Sequence, residues 1–194
     1  MSTSGASLPG RQMESESSCG SDDDEPSDSG PWGLPVLTGS CLIREIQIDL
    51  LMYVSDIEPA INGWLEQKLG RIVQLAGVSQ GQLNLVVVDD CRMTELHEQY
   101  ADHSGSTDVL TFDLRETEDQ PLLADIVICK DRAEEEAGRR GHEIRQELLL
   151  YAVHGLLHLL GEDDIQEDDA RSMHQREDEL LVLAGVGPVY RERN

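Results

Sequence analysis

Residues 143–164 read EIRQELLLYAVHGLLHLLGEDD, and this stretch decides how the rest of the chain is interpreted. Between Leu148 and Leu160 every residue is apolar except two histidines. A helix that is apolar around its whole circumference is typical of a buried position rather than of the protein surface. Gly161 follows the last leucine, and a glycine in the left-handed conformation commonly ends a helix. The segment therefore predicts a central helix over 143–160, followed by a turn.

Two histidines of this helix have the spacing of metal ligands. His154 and His158 lie four residues apart, so their imidazoles lie on one face about one turn apart. The turn after the helix can bring Asp164 to the same ion, with Glu162 and Asp163 as competing candidates for the third ligand. Three protein ligands leave one coordination position open, which is typical of catalytic zinc sites. The alternative is a pair of packed, hydrogen-bonded histidines without a metal.

The same spacing also matches the metallopeptidase pattern HExxHxxGxxH. In that class, the glutamate after the first histidine acts as the general base. Gly155 occupies this position here, which disfavours a peptidase that uses the same mechanism. Met173 lies in an amphipathic helical pattern and is predicted to pack in the core, rather than to form the turn beneath the metal that some of these peptidases have.

Outward from the central helix, the sequence predicts a single α/β domain. Apolar runs, some alternating with polar residues, predict four strands. The first strand begins near residue 43, and the other three cover 83–88, 108–114 and 123–129. The last two are expected to be neighbours in one sheet. Four further helices are predicted from capping residues and apolar periodicity, over about 56–75, 90–100, 131–140 and 166–184.

The charge of the chain restricts its partners. The 194 residues include 15 Lys and Arg against 39 Asp and Glu, which gives a net charge of −24 at pH 7. Such a charge repels phosphate polymers and acidic membranes unless a basic patch intervenes. The basic residues most available to RNA lie before the central helix, although neighbouring carboxylates can pair with most of them. They are Lys130, Arg132, Arg139, Arg140 and Arg145.

The first part of the chain differs in composition from the rest. Residues 1–30 contain seven acidic residues, one arginine and almost no apolar side chains, which predicts a disordered tail. We expect residues 1–40 to be this tail and a linker, and residues 41–194 to be the folded domain. The four cysteines include no CxxC pair, and the apolar stretch of 13 residues is too short to span a membrane. These features predict a cytoplasmic protein with no membrane partner.

Three ordered motifs resemble the YbeY family of bacterial endoribonucleases. The family signature HGxLHLxGYDH is similar to HGLLHLLGEDD, which matches it from His154 to Gly161 and at Asp163. STDVLTFDL, residues 106–114, resembles the family segment PTDVLSFP, and LADIVIC resembles the family strand GDIVIS. The resemblance covers about residues 43–184.

This resemblance implies a small mixed sheet of about four strands flanked by about five helices, with the metal at one end. It further implies a metal-dependent, single-strand-specific endoribonuclease that matures the 3′ end of small-subunit ribosomal RNA and takes part in ribosome quality control. Its partners would be ribosomal RNA precursors and ribosomal particles, and His154, His158 and Asp164 would hold one zinc ion. The alternatives are a metal-assisted hydrolase of another class, such as a peptidase, and a non-catalytic, ribosome-associated metal-binding factor.

Two positions depart from the family pattern. Asp164 stands where the family usually has a third histidine, and a carboxylate oxygen is an acceptable zinc ligand. Ala101 stands where the family usually has an arginine, which can contact a phosphate or stabilise a transition state. His97, one helical turn earlier, and His103, in the following loop, are candidates for proton transfer during cleavage.

Overall fold

The main core lies between a five-stranded sheet and the helices packed on one of its faces. The computed structural model describes residues 36–43, 45–101 and 104–189. In chain order the strands are β1 (Val36–Ile43), β2 (Glu45–Met52), β3 (Gln80–Val88), β4 (Val109–Asp113) and β5 (Leu122–Cys129). The helices are α1 (Pro59–Leu75), α2 (Asp90–Tyr100), α3 (Lys130–Arg140), α4 (Ile144–Leu159) and α5 (Glu167–Leu183).

The strand order is β1-β2-β3-β5-β4, with a parallel centre and antiparallel edges. Strands β2, β3 and β5 run parallel, whereas β1 pairs antiparallel with β2, and β4 pairs antiparallel with β5. The predicted α/β fold is therefore confirmed, as is the pairing of the last two strands. Along β2, Ile46, Ile48 and Leu50 are buried on the helix side while the residues between them face the other way, as the alternation predicts.

The fifth strand differs from the four that were predicted. Strand β1 begins at Val36, inside the segment that we expected to be a linker, and it pairs from Val36 opposite Met52 to Ile43 opposite Ile46. Leu37 and Leu42 are 58% and 73% exposed, so β1 has no buried apolar stripe of its own. Its strand conformation therefore depends on hydrogen bonding to the edge of β2.

Helix α4 is the central helix that the apolar run predicts. Its first turn carries a capping box, in which Glu143 and Gln146 each accept a hydrogen bond from the other residue's backbone N–H. One turn further, Glu147 is fully buried and contacts His142 and Arg140, the latter at 3.2 Å between Glu147 Oε1 and Arg140 Nη1. Burial raises the pKa of Glu147, and these two partners oppose that rise. The start of α4 is thus fixed by polar contacts.

Close packing against the sheet fixes the other end of α4. A Cβ atom placed on Gly155 would lie 2.9 Å from side-chain carbons of both Ile126 and Thr111 and 3.1 Å from Val109. Contacts this short leave no room for a side chain, so the glycine allows α4 to approach edge strand β4. This approach sets the position of the two histidines that flank Gly155 along the helix.

Helix α5 packs on α4 through an apolar stripe. Met173, Leu180 and Leu181 are at most 1% exposed, which confirms the prediction that Met173 packs in the core. Across from them, Lys68 donates a hydrogen bond of 2.8 Å to the carbonyl oxygen of Ala184, just beyond the end of α5. Every helix in the described part of the chain is too short or too polar to cross a bilayer.

Candidate metal centre

The side chains of His154, His158 and Asp164 converge at the end of α4. The two Nε2 atoms lie 3.1 Å apart. Asp164 Oδ2 lies 3.7 Å from His154 Nε2, and Asp164 Oδ1 lies 3.8 Å from His158 Nε2. The three predicted ligand residues therefore offer atoms that all lie within 4.8 Å of one another.

Hydrogen bonds on the outer side of each ring orient the two imidazoles. His154 Nδ1 donates to Glu177 Oε1 at 2.7 Å, and His158 Nδ1 donates to the carbonyl oxygen of Glu162 at 3.1 Å. Because both partners are oxygen acceptors, the neutral form of each ring carries its proton on Nδ1 and has its lone pair on Nε2. The lone pairs are thus available on the inner side, where the carboxylate of Asp164 lies, and this is the arrangement that metal-ligating histidines usually have.

The turn after α4 distinguishes among the three acidic residues that were candidates for the third ligand. Gly161 has φ 91°, which reverses the chain after the helix. Asp163 Oδ1 accepts hydrogen bonds from the N–H groups of Asp164 and Ile165, at 2.7 and 3.1 Å. Asp163 therefore stabilises the turn, Glu162 contributes its backbone carbonyl, and the Asp164 carboxylate is the one that faces the histidines.

These distances fit a tetrahedral zinc ion. Zinc bonds to nitrogen and oxygen of about 2.0 to 2.1 Å place neighbouring ligand atoms about 3.3 Å apart at the tetrahedral angle. The two nitrogen atoms, 3.1 Å apart, lie close to that value, and each has one of the two Asp164 oxygens within 3.8 Å. Two imidazoles and one carboxylate also form a donor set that zinc commonly takes, with one position left for a substrate or water.

Glu177 is a buried part of this centre that the sequence interpretation missed. It lies on α5, is 1% exposed, and also accepts a hydrogen bond of 3.0 Å from His174 Nδ1. Burial of the His154 ring lowers its pKa, but the hydrogen bond and negative charge of Glu177, together with the charges of Asp108 and Asp164, outweigh burial and raise the pKa overall. The sequence contained one signal for this role. Glu177 follows Met173 by four residues, so it is an acid on the apolar face of the predicted helix, where it is buried.

Of the two residues proposed for proton transfer, His97 is among the described residues and lies outside this cluster. His97 Nδ1 contacts the carbonyl oxygen of Gly105 at 2.7 Å, which ties α2 to the loop before β4. Ala101 is the C-cap of α2, and its N–H donates to the carbonyl oxygen of His97 at 2.9 Å. His103 falls outside the described residues. The roles of His97 and His103 in proton transfer remain predictions.

Carboxylates pair with each of the five basic residues that were candidates for RNA contacts, as expected for most of them. Lys130 contacts Asp56, and Arg132 Nε lies 3.3 Å from Asp90 Oδ1. Of the other three residues, Arg139 pairs with Glu136, Arg140 with both Glu136 and Glu147, and Arg145 with Glu143. These acids reduce the positive charge that the segment can offer to a phosphate.

The packing of Gly155 also bears on the peptidase alternative. Because position 155 faces side chains of β4 and β5, a glutamate there would collide with the sheet instead of reaching the metal centre. The arrangement therefore has no place for the general base of the HExxH metallopeptidases.

The comparisons with known proteins agree on one family. The model for the endoribonuclease YbeY matches residues 49–185, a segment that contains all five helices and the candidate metal centre. The endoribonuclease YbeY of Desulfitobacterium hafniense (strain Y51) is 37% identical over an alignment of 137 residues, which covers 66% of this chain and 87% of the relative. That of Bacillus thuringiensis (strain Al Hakam) is 31% identical over 151 residues, covering 72% of this chain and 97% of the relative.

A solved structure has a similar fold. The solution structure of TM1509 from Thermotoga maritima is 28% identical in sequence, with a TM-score of 0.52, and the match covers 72% of this chain and 88% of that one. Since the family model spans well over half of the chain and includes the histidine pair, this chain belongs to the YbeY endoribonuclease family.

Proposed function

We propose that this chain is a zinc-dependent endoribonuclease that cleaves single-stranded RNA and acts in the cytoplasm on ribosomal RNA precursors and ribosomal particles. The observation that carries the proposal is the convergence of two imidazole Nε2 atoms and the Asp164 carboxylate. Membership in a family named for endoribonuclease activity supports RNA as the substrate. The ribosomal role, including maturation of the 3′ end of the small-subunit RNA and ribosome quality control, rests on the resemblance of the three motifs.

His154, His158 and Asp164 would hold one zinc ion per chain. When bound, zinc supplies Lewis-acid polarisation of a phosphate oxygen and activation of a water. Glu177 holds the His154 ring in the tautomer that presents Nε2, and the Glu162 carbonyl does the same for His158. Because Asp164 is anionic, the loaded site would carry one positive charge instead of the two that three neutral histidines would leave.

Ala101 is the observation that favours a second candidate, a ribosome-associated factor that binds metal without cleaving RNA. The methyl group at this position cannot form the charge-assisted contact with phosphate that an arginine forms. A protein of this kind would keep the zinc ligands for folding and would still bind ribosomal particles. Direct cleavage assays distinguish the two candidates.

The deciding experiment measures zinc content and RNA cleavage in the same preparations. We expect wild-type protein to hold one zinc ion and to cleave a labelled unstructured RNA, but not the corresponding duplex. His158→Ala and Asp164→Asn should lose both properties, because each removes a ligand. Glu162→Gln is the matched control, since this residue contributes its backbone carbonyl and should keep the zinc.

Two results would contradict the proposal. Retention of wild-type zinc content by His158→Ala after treatment with a mild chelator would place the metal elsewhere. Zinc-loaded wild type that binds ribosomal particles but cleaves no RNA would favour the binding factor.

A further inference from the structure

A second concave surface lies on the face of the sheet opposite α4. Side chains alternate along edge strand β4, so that Val109 and Thr111 face Gly155 of α4 while Phe112 faces the other side. On that other side, β3, β4, β5 and α2 enclose a groove of about 390 Å³ that Phe112 helps to line. We call this surface the open-face groove; its volume is within the range of sites for small organic groups.

Exposed aromatic rings distinguish the open-face groove. The whole chain contains only two Trp, four Tyr and one Phe, and three of these seven residues line the groove: Tyr53, Tyr100 and Phe112. Tyr100 is 59% exposed and Tyr53 is 38% exposed, although burying large aromatic side chains would favour folding. Tyr100 packs edge-on to Phe112, with ring centroids 5.1 Å apart and planes at 78°. The groove thus presents aromatic surface that the core does not use.

The polar groups of the groove suit a neutral, amino-bearing ligand better than a phosphate. Asp125 lines the groove and accepts a hydrogen bond of 2.7 Å from Asn84, and a carboxylate has further acceptor positions for an exocyclic amino group. Among the described residues that line the groove, Arg92 alone carries a guanidinium, which lies 3.2 Å from Glu95. Because the acids offset this cation, electrostatic attraction of a phosphate is weak here, whereas stacking on an aromatic ring needs no charge.

The open-face groove is connected to the metal centre around one edge of the sheet. Tyr100 ends α2, and in the same turn His97 contacts the carbonyl oxygen of Gly105 in the loop that leads to β4. This loop leads into Val109 of β4, whose side chain lies 3.1 Å from a Cβ atom placed on Gly155, the residue next to His154. An RNA strand that passes over the edge formed by β4 and this loop therefore meets the groove on one side and the metal centre on the other.

From these observations we infer that the open-face groove binds an unpaired nucleobase of the RNA substrate, away from the bond that is cut. The base stacks on Tyr100, the more exposed of the two tyrosines, and its amino edge faces Asp125. This inference rests on the proposed endoribonuclease function and adds a reason for single-strand specificity, because a base paired in a duplex cannot enter the groove.

The test separates base binding from cleavage by using the full chain in the presence of a chelator. We would measure, by fluorescence anisotropy, the binding of a short labelled single-stranded RNA and of a strand of equal length made of abasic sites. Wild-type protein should bind the RNA about ten-fold more tightly than the abasic strand, as expected for base stacking on an aromatic ring. Tyr100→Leu should abolish this preference, and Tyr100→Phe should keep it because the ring remains.

Leu183→Ala, which changes an exposed apolar residue on α5, is the matched control and should bind like wild type. The inference would be overturned if wild type bound RNA and the abasic strand equally, or if Tyr100→Leu kept the preference for RNA. Either result would leave a protein segment as the occupant to consider. Failure of the endoribonuclease proposal would look different, since zinc-loaded wild type would then leave RNA uncut whatever the binding result.

Discussion

The hydrogen bond between His154 and Glu177 joins the metal centre to a helix that supplies none of the three ligands. A buried carboxylate is costly to desolvate unless it is hydrogen-bonded, and Glu177 is contacted by the Nδ1 atoms of both His154 and His174. This arrangement fixes the orientation of the His154 ring before any metal arrives, which lowers the ordering cost of metal binding. Glu177 is thus a positioning residue of the centre.

Replacing this carboxylate should weaken metal binding without unfolding the protein. We expect Glu177→Gln to lower zinc affinity by about 10-fold to 100-fold, the range for partners that support a ligand without touching the metal. Competition against a chromophoric chelator would measure the affinity. Glu179→Gln is the control on the same helix, because Glu179 is exposed and contacts the side chains of Gln175 and Arg176 on α5 itself. Equal affinities for the two variants would show that Glu177 has a structural role alone.

Ala101 leads to a second prediction at the scale of a single residue. If the arrangement of the family holds, a cation at position 101 lies near a phosphate of the substrate, where it can stabilise the transition state. Ala101→Arg should then raise the rate of RNA cleavage about ten-fold, or about 1.4 kcal/mol of barrier. Single-turnover assays of the zinc-loaded protein would measure this rate. The gain should vanish when His154→Ala is added, and a gain that persists would point to a contaminating nuclease.

The convergence of the three candidate ligands could be predicted because they are local in sequence. His154, His158 and Asp164 occupy 11 consecutive residues, and helical periodicity alone brings the two imidazoles together. Asp164 was the predicted third ligand, and the backbone hydrogen bonds of the turn show why its competitor Asp163 faces away from the histidines. Glu177 is 23 residues from His154, and the packing of α5 on α4, which no local pattern specifies, makes that contact.

At the scale of the element, the approach of α4 to the sheet depends on the absence of a side chain at position 155. Gly155→Ala would place a methyl group within 3 Å of carbons on Ile126 and Thr111. We expect a loss of about 1 to 3 kcal/mol in the free energy of unfolding, the usual cost of overpacking a core. Urea denaturation, followed by circular dichroism, would measure the loss.

Gly138→Ala provides the control for this substitution. Gly138 lies within α3, and a Cβ atom there would meet nothing within 4 Å, so the alanine should be neutral or should stabilise the helix slightly. Stability of Gly155→Ala equal to that of wild type would mean that α4 can move away from β4. Such a shift would displace His154 and His158, and the substitution would then lower the zinc affinity and leave the stability unchanged.

Most helices and strands could be predicted from sequence, and the exception, strand β1, shows that an apolar pattern reports burial. The alternation in β2 and the apolar run in α4 reflect burial, so each gave a strand or helix close to its observed bounds. Strand β1 is an edge strand in which Leu37 and Leu42 are exposed. Its sequence therefore lacks the alternation of apolar and polar residues that burial of one face produces. Its stability comes from pairing with β2, which is a tertiary interaction.

At the scale of the whole molecule, the distribution of charge opposes the proposed substrate. The net charge of −24 gives a repulsive field for RNA, and the candidate basic residues of α3 and of the first turn of α4 are paired with acids. Residues 1–30 account for −6 of this charge, and −18 remains in the rest of the chain. RNA binding should therefore depend on short-range contacts at the metal centre and the open-face groove, and long-range attraction should contribute little.

Removing residues 1–30 tests how much of the repulsion comes from that segment. Because the segment has almost no apolar side chains to bury, its deletion should leave the melting temperature unchanged. At 0.01 M salt, charges act over about 30 Å, so the deletion should tighten RNA binding slightly. At 1 M salt, charges act over about 3 Å, so the shortened chain and the full chain should bind RNA equally. Thermal melts and anisotropy titrations at the two salt concentrations would measure both effects.

A full-length variant with the seven acidic residues of this segment replaced by their amides separates charge from chain length. If repulsion is the cause, this variant should bind RNA even more tightly at low salt than the deletion variant does. Its residues 1–30 keep one arginine and contain no acidic side chain, so the segment attracts RNA weakly. A melting temperature lowered by several degrees in the deletion alone would contradict the prediction, since it would mean that the segment packs on the domain. Tighter binding that persists at 1 M salt would instead identify the segment as a steric block to RNA.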